Sequence, residues 1–158
     1  MKKLMQALTT LVALVAVAPA AYAQFADKKA LNLDGAKKIA AAAEAEALKN
    51  KWNVVIAVVD DGGHLLYLQR MDGTQTGSID VAIGKARTAM AFKRATKVFD
   101  ELAKTRPAIL TLGEATLLEG GVPVKVGDQV VGAVGVSGVT SVQDAQIAEA
   151  GIAVLGVQ

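Results

Sequence analysis

Val54-Val55-Ile56-Ala57-Val58-Val59-Asp60-Asp61-Gly62-Gly63-His64-Leu65-Leu66-Tyr67-Leu68-Gln69-Arg70 is the stretch that decides the fold. A β-branched run stops at two aspartates and two glycines, then resumes as a second apolar run, which is the signature of two strands joined by a D-G turn. No polar residue interrupts the first run, so that strand is expected to be covered on both faces. The second places His64, Leu66, Leu68 and Arg70 on one face and Leu65, Tyr67 and Gln69 on the other. His64 is expected to open this second strand.

On the N-terminal side, Leu33, Ala36, Ile39, Ala40, Ala43, Ala47 and Leu48 recur at helical spacing behind Asn32, an N-cap type, which predicts an amphipathic helix over about 33 to 50. On the C-terminal side, a polar loop (71 to 77) leads into Ile79, Ala82, Ile83, Ala86, Ala89 and Met90, a second helix over about 78 to 94. Lys85, Arg87, Lys93, Arg94 and Lys97 make its later half basic. Such cations either complement the dipole of a solvated helix end or form a rim for a carboxylate. A short helix near 98 to 104 and a loop with Arg106-Pro107 follow. Val122 to Val126 and Gln129 to Val136 form another hairpin, with a short strand before it at Leu117-Leu118. A last helix runs from about Ser141 to Leu155. The order gives a single α+β domain with a mainly antiparallel sheet of about five strands.

The chain has 158 residues, 17 Lys+Arg against 15 Asp+Glu, 53% apolar side chains, one His and no Cys. Without Cys there are no disulfides, no thiolate catalysis and no Cys-held metal centres. Met1-Lys2-Lys3, the apolar stretch Ala7 to Ala18, Pro19 and the A-x-A string Ala21-Tyr22-Ala23 read as a secretory signal peptide over 1–23, with the domain over 24–158. The apolar run is shorter than the roughly 20 residues a bilayer span needs, so no stable membrane insertion is expected after cleavage. Removing Lys2 and Lys3 leaves 15 basic and 15 acidic side chains, which takes away the charge argument for a nucleic-acid partner. The expected location is periplasmic or secreted.

His64 is the only imidazole, so two-His metal sites and HExxH are absent. A lone histidine at a strand start serves either as scaffold or as a single axial ligand to haem iron, for which the porphyrin supplies four nitrogens and the protein needs to supply one. Gly132-Ala133-Val134-Gly135-Val136-Ser137-Gly138 matches neither phosphate-loop pattern. Its glycines permit close packing, or leave amides before the last helix for a small carboxylate or a propionate. Asp60 and Asp61 are turn formers or metal ligands, with the turn favoured. Glu119 and Asp144 have acid/base chemistry to offer, but nothing in the sequence brings them near His64.

Six strings in order, Val58-Val59-Asp60-Asp61-Gly62-Gly63-His64-Leu65, Arg70-Met71-Asp72-Gly73, Gly84-Lys85-Ala86-Arg87-Thr88-Ala89, Glu119-Gly120-Gly121-Val122-Pro123, Gly132 to Gly138 and Gln143-Asp144-Ala145, resemble the GlcG/HbpS family of haem-binding proteins. The resemblance covers about 33 to 155. It implies a profilin-like sheet flanked by helices, assembly into homo-oligomers, often octamers, and haem as cofactor. Carried over residue by residue, it makes His64 the iron ligand and Lys85 and Arg87 the cations nearest a bound carboxylate. Glu119, Gly120, Gly121, Ser137 and Gly138 become the remaining walls. The leading expectation is a haem-binding protein that sequesters, carries or senses haem. The alternatives are a binding module for a small hydroxy or keto acid, using Lys85, Arg87 and amides near Ser137, or an enzyme on such an acid with Glu119 or Asp144 as acid/base and His64 orienting substrate.

Overall fold

The computed structural model describes residues 24–156; the signal-peptide expectation over 1–23 lies outside the described residues. The elements run α1 (Leu33–Lys49), β1 (Val55–Asp60), β2 (Leu65–Arg70), α2 (Ser78–Phe92), α3 (Lys97–Thr105), a 3-10 turn (Pro107–Thr111), β3 (Gly121–Val126), β4 (Gln129–Ser137) and α4 (Ser141–Ala153). The sheet has four strands in the order β2-β1-β4-β3, every pair antiparallel. The fifth strand expected before the second hairpin does not form: Leu117 and Leu118 lie in a bent segment. No described helix is long and apolar enough to cross a membrane.

The apolar run of β1 is explained by its central position. Ile56 and Val58 pack with Val134 and Val136 of β4 beneath α1 and α4, among Ala36, Ile39, Ala43 and Ile147. The alternate residues Val55, Ala57 and Val59 face α2, where Ala82, Ala86, Ala89 and Met90 cover them. Two helices on one face and one on the other leave no position from Val55 to Val59 for a polar side chain. Burying each Val or Ile contributes about 1.5–3 kcal/mol.

Small residues let α2 lie close to the sheet. A Cβ at Gly135 of β4 would collide with the Ala82 carbonyl oxygen and stand 2.6 Å from the Ala86 nitrogen. Packing is therefore the use of this glycine. The helix ends follow the sequence signals: Asn32 accepts from the Gly35 amide at 2.9 Å, and Thr140 with Gln143 forms a capping box at the start of α4. Pro123 lies on β3, an edge strand, where its missing N–H costs little ladder bonding.

The first hairpin departs from simple alternation. Val58 pairs with Tyr67 and Val59 with Leu65, so a bulge takes up Leu66. The strand begins at Leu65, which leaves His64 in the turn instead of opening the ladder. The imidazole consequently stands at the end of the hairpin, where it lines a cleft together with residues of α2.

Candidate functional site: a cleft at the end of the first hairpin

The D-D-G-G-H turn is built by local chemistry. The Asp60 carboxylate accepts from the amides of Gly62 and His64, each at 2.8 Å, and the Gly63 amide donates to the Asp60 carbonyl at 3.0 Å. Gly63 has φ +81, a left-handed conformation that suits glycine. Gly62 is required for space: a Cβ there would stand 2.8 Å from His64 Nδ1 and 3.3 Å from Asp60 Oδ1. The same Asp60 oxygen is 3.4 Å from His64 Nδ1, while the His64 side chain is 83% exposed. Burial pushes the Asp60 carboxyl up, but the two amides and the imidazole outweigh it and hold its pKa below the ordinary value.

This turn forms one wall of a cleft of about 510 Å³, with Arg87, Met90, Ala91, Lys93 and Glu114 completing it. Arg87 comes from the middle of α2, and its Nε donates to the Gly63 carbonyl at 3.4 Å, tying the helix to the hairpin. Lys93 follows α2 directly. The cleft thus offers an imidazole with a carboxylate behind one nitrogen, two cations, a carboxylate and an apolar floor. Lys28 of the N-terminal segment pairs with Asp61 beside it.

Of the eight residues expected at the site, His64 and Arg87 meet here. The other six lie elsewhere. Lys85 is 1% exposed; its ammonium lies 2.7 Å from Asp144 Oδ2 and donates to the Val136 carbonyl at 2.9 Å. Burial raises the Asp144 carboxyl above its ordinary pKa even with the Lys85 ammonium and the Val139 amide against it. Gly120, at φ +123, lies over this pair, and a Cβ there would come within 2.8 Å of the Lys85 ammonium. The Gly121 amide donates to Thr96 Oγ1 at 2.8 Å, and Glu119 is nearly buried and paired with Lys97 at 3.2 Å. Ser137 shares a hydrogen bond with Ser78 at 3.2 Å, and Gly138 packs on the backbone of Asn53 and Val54. Four of the six recognisable strings thus converge on one buried ion pair that joins α2, β4 and α4.

That placement revises the expected cation set: Lys85 is committed to Asp144, and Lys93 takes the place beside Arg87. Asp144 and Glu119, the acid/base pair considered from sequence, line no cavity with His64. The sequence offers Lys93 only as one of five cations of a basic stretch, because the helical spacing predicts a helix running on to Arg94, whereas the helix ends at Phe92. Among the described residues no three His, Asp or Glu side chains are gathered in a way that could hold a bare metal ion.

Fold and cleft together define a class: a small α+β domain whose one imidazole is exposed at a cleft that two cations also line. Residues 31–153 match the family model described as haem degrading protein, HbpS-like, and the chain belongs to that family. Protein GlcG of Escherichia coli is 50% identical over 111 residues, spanning 70% of this chain and 83% of that protein. Among solved structures, a double mutant of Streptomyces reticuli HbpS superposes with a TM-score of 0.79 at 35% identity, covering 89% of this chain and 99% of that one. The PduOC:Heme complex superposes with a TM-score of 0.74 at 27% identity, covering 82% of this chain and 97% of that one.

Proposed function

We propose that this protein binds haem at the hairpin-end cleft, with His64 as the axial ligand to iron and Arg87 and Lys93 meeting the propionates. The observation that carries the reading is the donor arrangement. A histidine that ligates metal commonly orients its second nitrogen on a carboxylate, which fixes the ring and raises its basicity. Here the Asp60 carboxylate lies 3.4 Å from Nδ1, and the ring is largely exposed. One nitrogen is sufficient for a porphyrin and insufficient for a bare ion. The cleft volume of about 510 Å³ falls within the usual range for organic ligands, about 300–1,000 Å³.

Bound there, haem would supply iron redox chemistry. The chain's own part is to orient the imidazole, anchor the carboxylates and present the apolar surface of Met90 and Ala91. The family description and the neighbour solved with haem support the ligand class. We further propose export to the periplasm or beyond, from the basic-apolar-A-x-A pattern of residues 1–23, and assembly into a homo-oligomer. Titrating the purified protein with haemin and following the Soret band tests the central reading. A saturable shift in the wild type that is weakened in His64→Ala supports it, and identical titrations of the two proteins refute it.

A further inference from the structure

Helix α2 ends in an unusual way for its sequence. The Arg94 amide donates to the Ala89 carbonyl and the Lys93 amide to the Met90 carbonyl, each at 3.2 Å, which is the bond pair of a Schellman motif. The residue at the left-handed position of that motif is ordinarily glycine. Here it is Lys93, at φ 54 and ψ 34. Among the described residues only Lys51 is another non-glycine residue with positive φ. Non-glycine residues in strained conformations cluster at ligand clamps and active sites, where the side chain has a use.

Its surroundings show what that use is. The left-handed turn sets Lys93 at the border of two cavities, the His64 cleft of about 510 Å³ and a neighbour of about 370 Å³, which share Asp61, Met90 and Lys93. Asp61 is already paired with Lys28. Glu114 also lines the cleft and shares a further cavity with Arg87, so its negative charge offsets Arg87 more than Lys93. Arg87 has its Nε engaged by Gly63. Lys93 carries the compact, mobile charge.

We infer that Lys93 is a specificity residue of this cleft: it selects porphyrins bearing free carboxylates, and the strained helix end is retained to aim it. The inference rests on the haem reading above. It also separates binding from stability, because Lys93→Gly puts the favoured residue at the left-handed position while removing the charge.

The test compares haemin with its dimethyl ester on the wild type, Lys93→Gly, Lys93→Met, Lys93→Arg and His64→Ala. The wild type is expected to bind haemin about tenfold more tightly than the ester, the equivalent of one well-placed charged contact. Lys93→Gly and Lys93→Met lose most of that preference, Arg87 holding the remainder, while their ester affinity stays at the wild-type level. Lys93→Arg keeps it, and Lys93→Gly melts no lower than the wild type. Equal wild-type affinity for acid and ester, or a preference that survives undiminished in Lys93→Gly, overturns the inference and leaves the haem reading standing. Haemin binding that is indifferent to His64→Ala overturns the haem reading and this inference with it.

Discussion

The ion pair between Lys85 and Asp144 allows the most quantitative test of how the domain is held together. Their side chains are 2% and 3% exposed and their charged atoms 2.7 Å apart. The Val136 carbonyl takes another ammonium proton, and the Val139 amide donates to the other carboxylate oxygen at 3.2 Å. Removing one partner leaves the other buried without its counter-charge, which costs about 3–5 kcal/mol. Replacing both by apolar residues of similar volume removes the two charges together, and the net effect of such a change is near zero or favourable. Lys85→Met should therefore destabilise by about 3–5 kcal/mol, lowering the melting temperature by about 10–20 °C for a domain of this size. Lys85→Met combined with Asp144→Leu should recover most of that loss. Urea unfolding followed by circular dichroism, with all four members of the cycle, measures the coupling. A single-mutant cost under about 1 kcal/mol would show that the pair is exposed to water in solution. A double mutant as unstable as the sum of the singles would show that the two groups are not coupled.

Other outcomes follow from the same geometry. Gly135→Ala forces α2 away from β4 and should cost about 1–3 kcal/mol by overpacking, measured by urea unfolding; a neutral effect would mean that the helix does not lie on this glycine. The Asp60 carboxyl should titrate below 3.8 by NMR. Its contribution to stability is present above that value and disappears as pH falls through the lower folded-state pKa, so a midpoint at or above 3.8 would contradict the hairpin geometry. Asp144 behaves in the opposite sense: its folded-state pKa is raised, so its contribution declines as pH rises from 3.8 through the folded value. Asp144→Asn should remove that decline from a stability-pH profile.

Local patterns carried most of the fold. The unbroken run of β1 announced a strand buried on both faces, and the apolar spacing behind Asn32 announced the amphipathic helix α1. Sheet order could not be read in the same way, because pairing β1 with β4 joins residues about eighty positions apart, and no local signal records it. The bulge at Leu66 was also hidden: the apolar run Leu65 to Leu68 reads the same with or without it.

The site was legible in part, and one error had its signal in plain view. Lys85 and Arg87 are two positions apart on a helix, hence about 200° apart around its axis, so they cannot face the same cleft. Lys85 shares its face with Ala82, Ala86 and Ala89, all buried. Arg87 shares its face with Met90 and Ala91, which line the cleft. Lys93 stood in the same basic stretch with nothing to single it out. The helix stop that placed it lacks the glycine by which such stops are recognised, and only the backbone bonds of Ala89 and Met90 reveal it.

The central claim is that one exposed imidazole, braced by a carboxylate, takes iron. Resonance Raman spectroscopy of the reduced haem complex reads the iron-histidine stretch directly. The account predicts that mode in the wild type, its loss in His64→Ala and its return when free imidazole is added to the variant. A wild-type spectrum without the mode, or one that His64→Ala leaves unchanged, would contradict it.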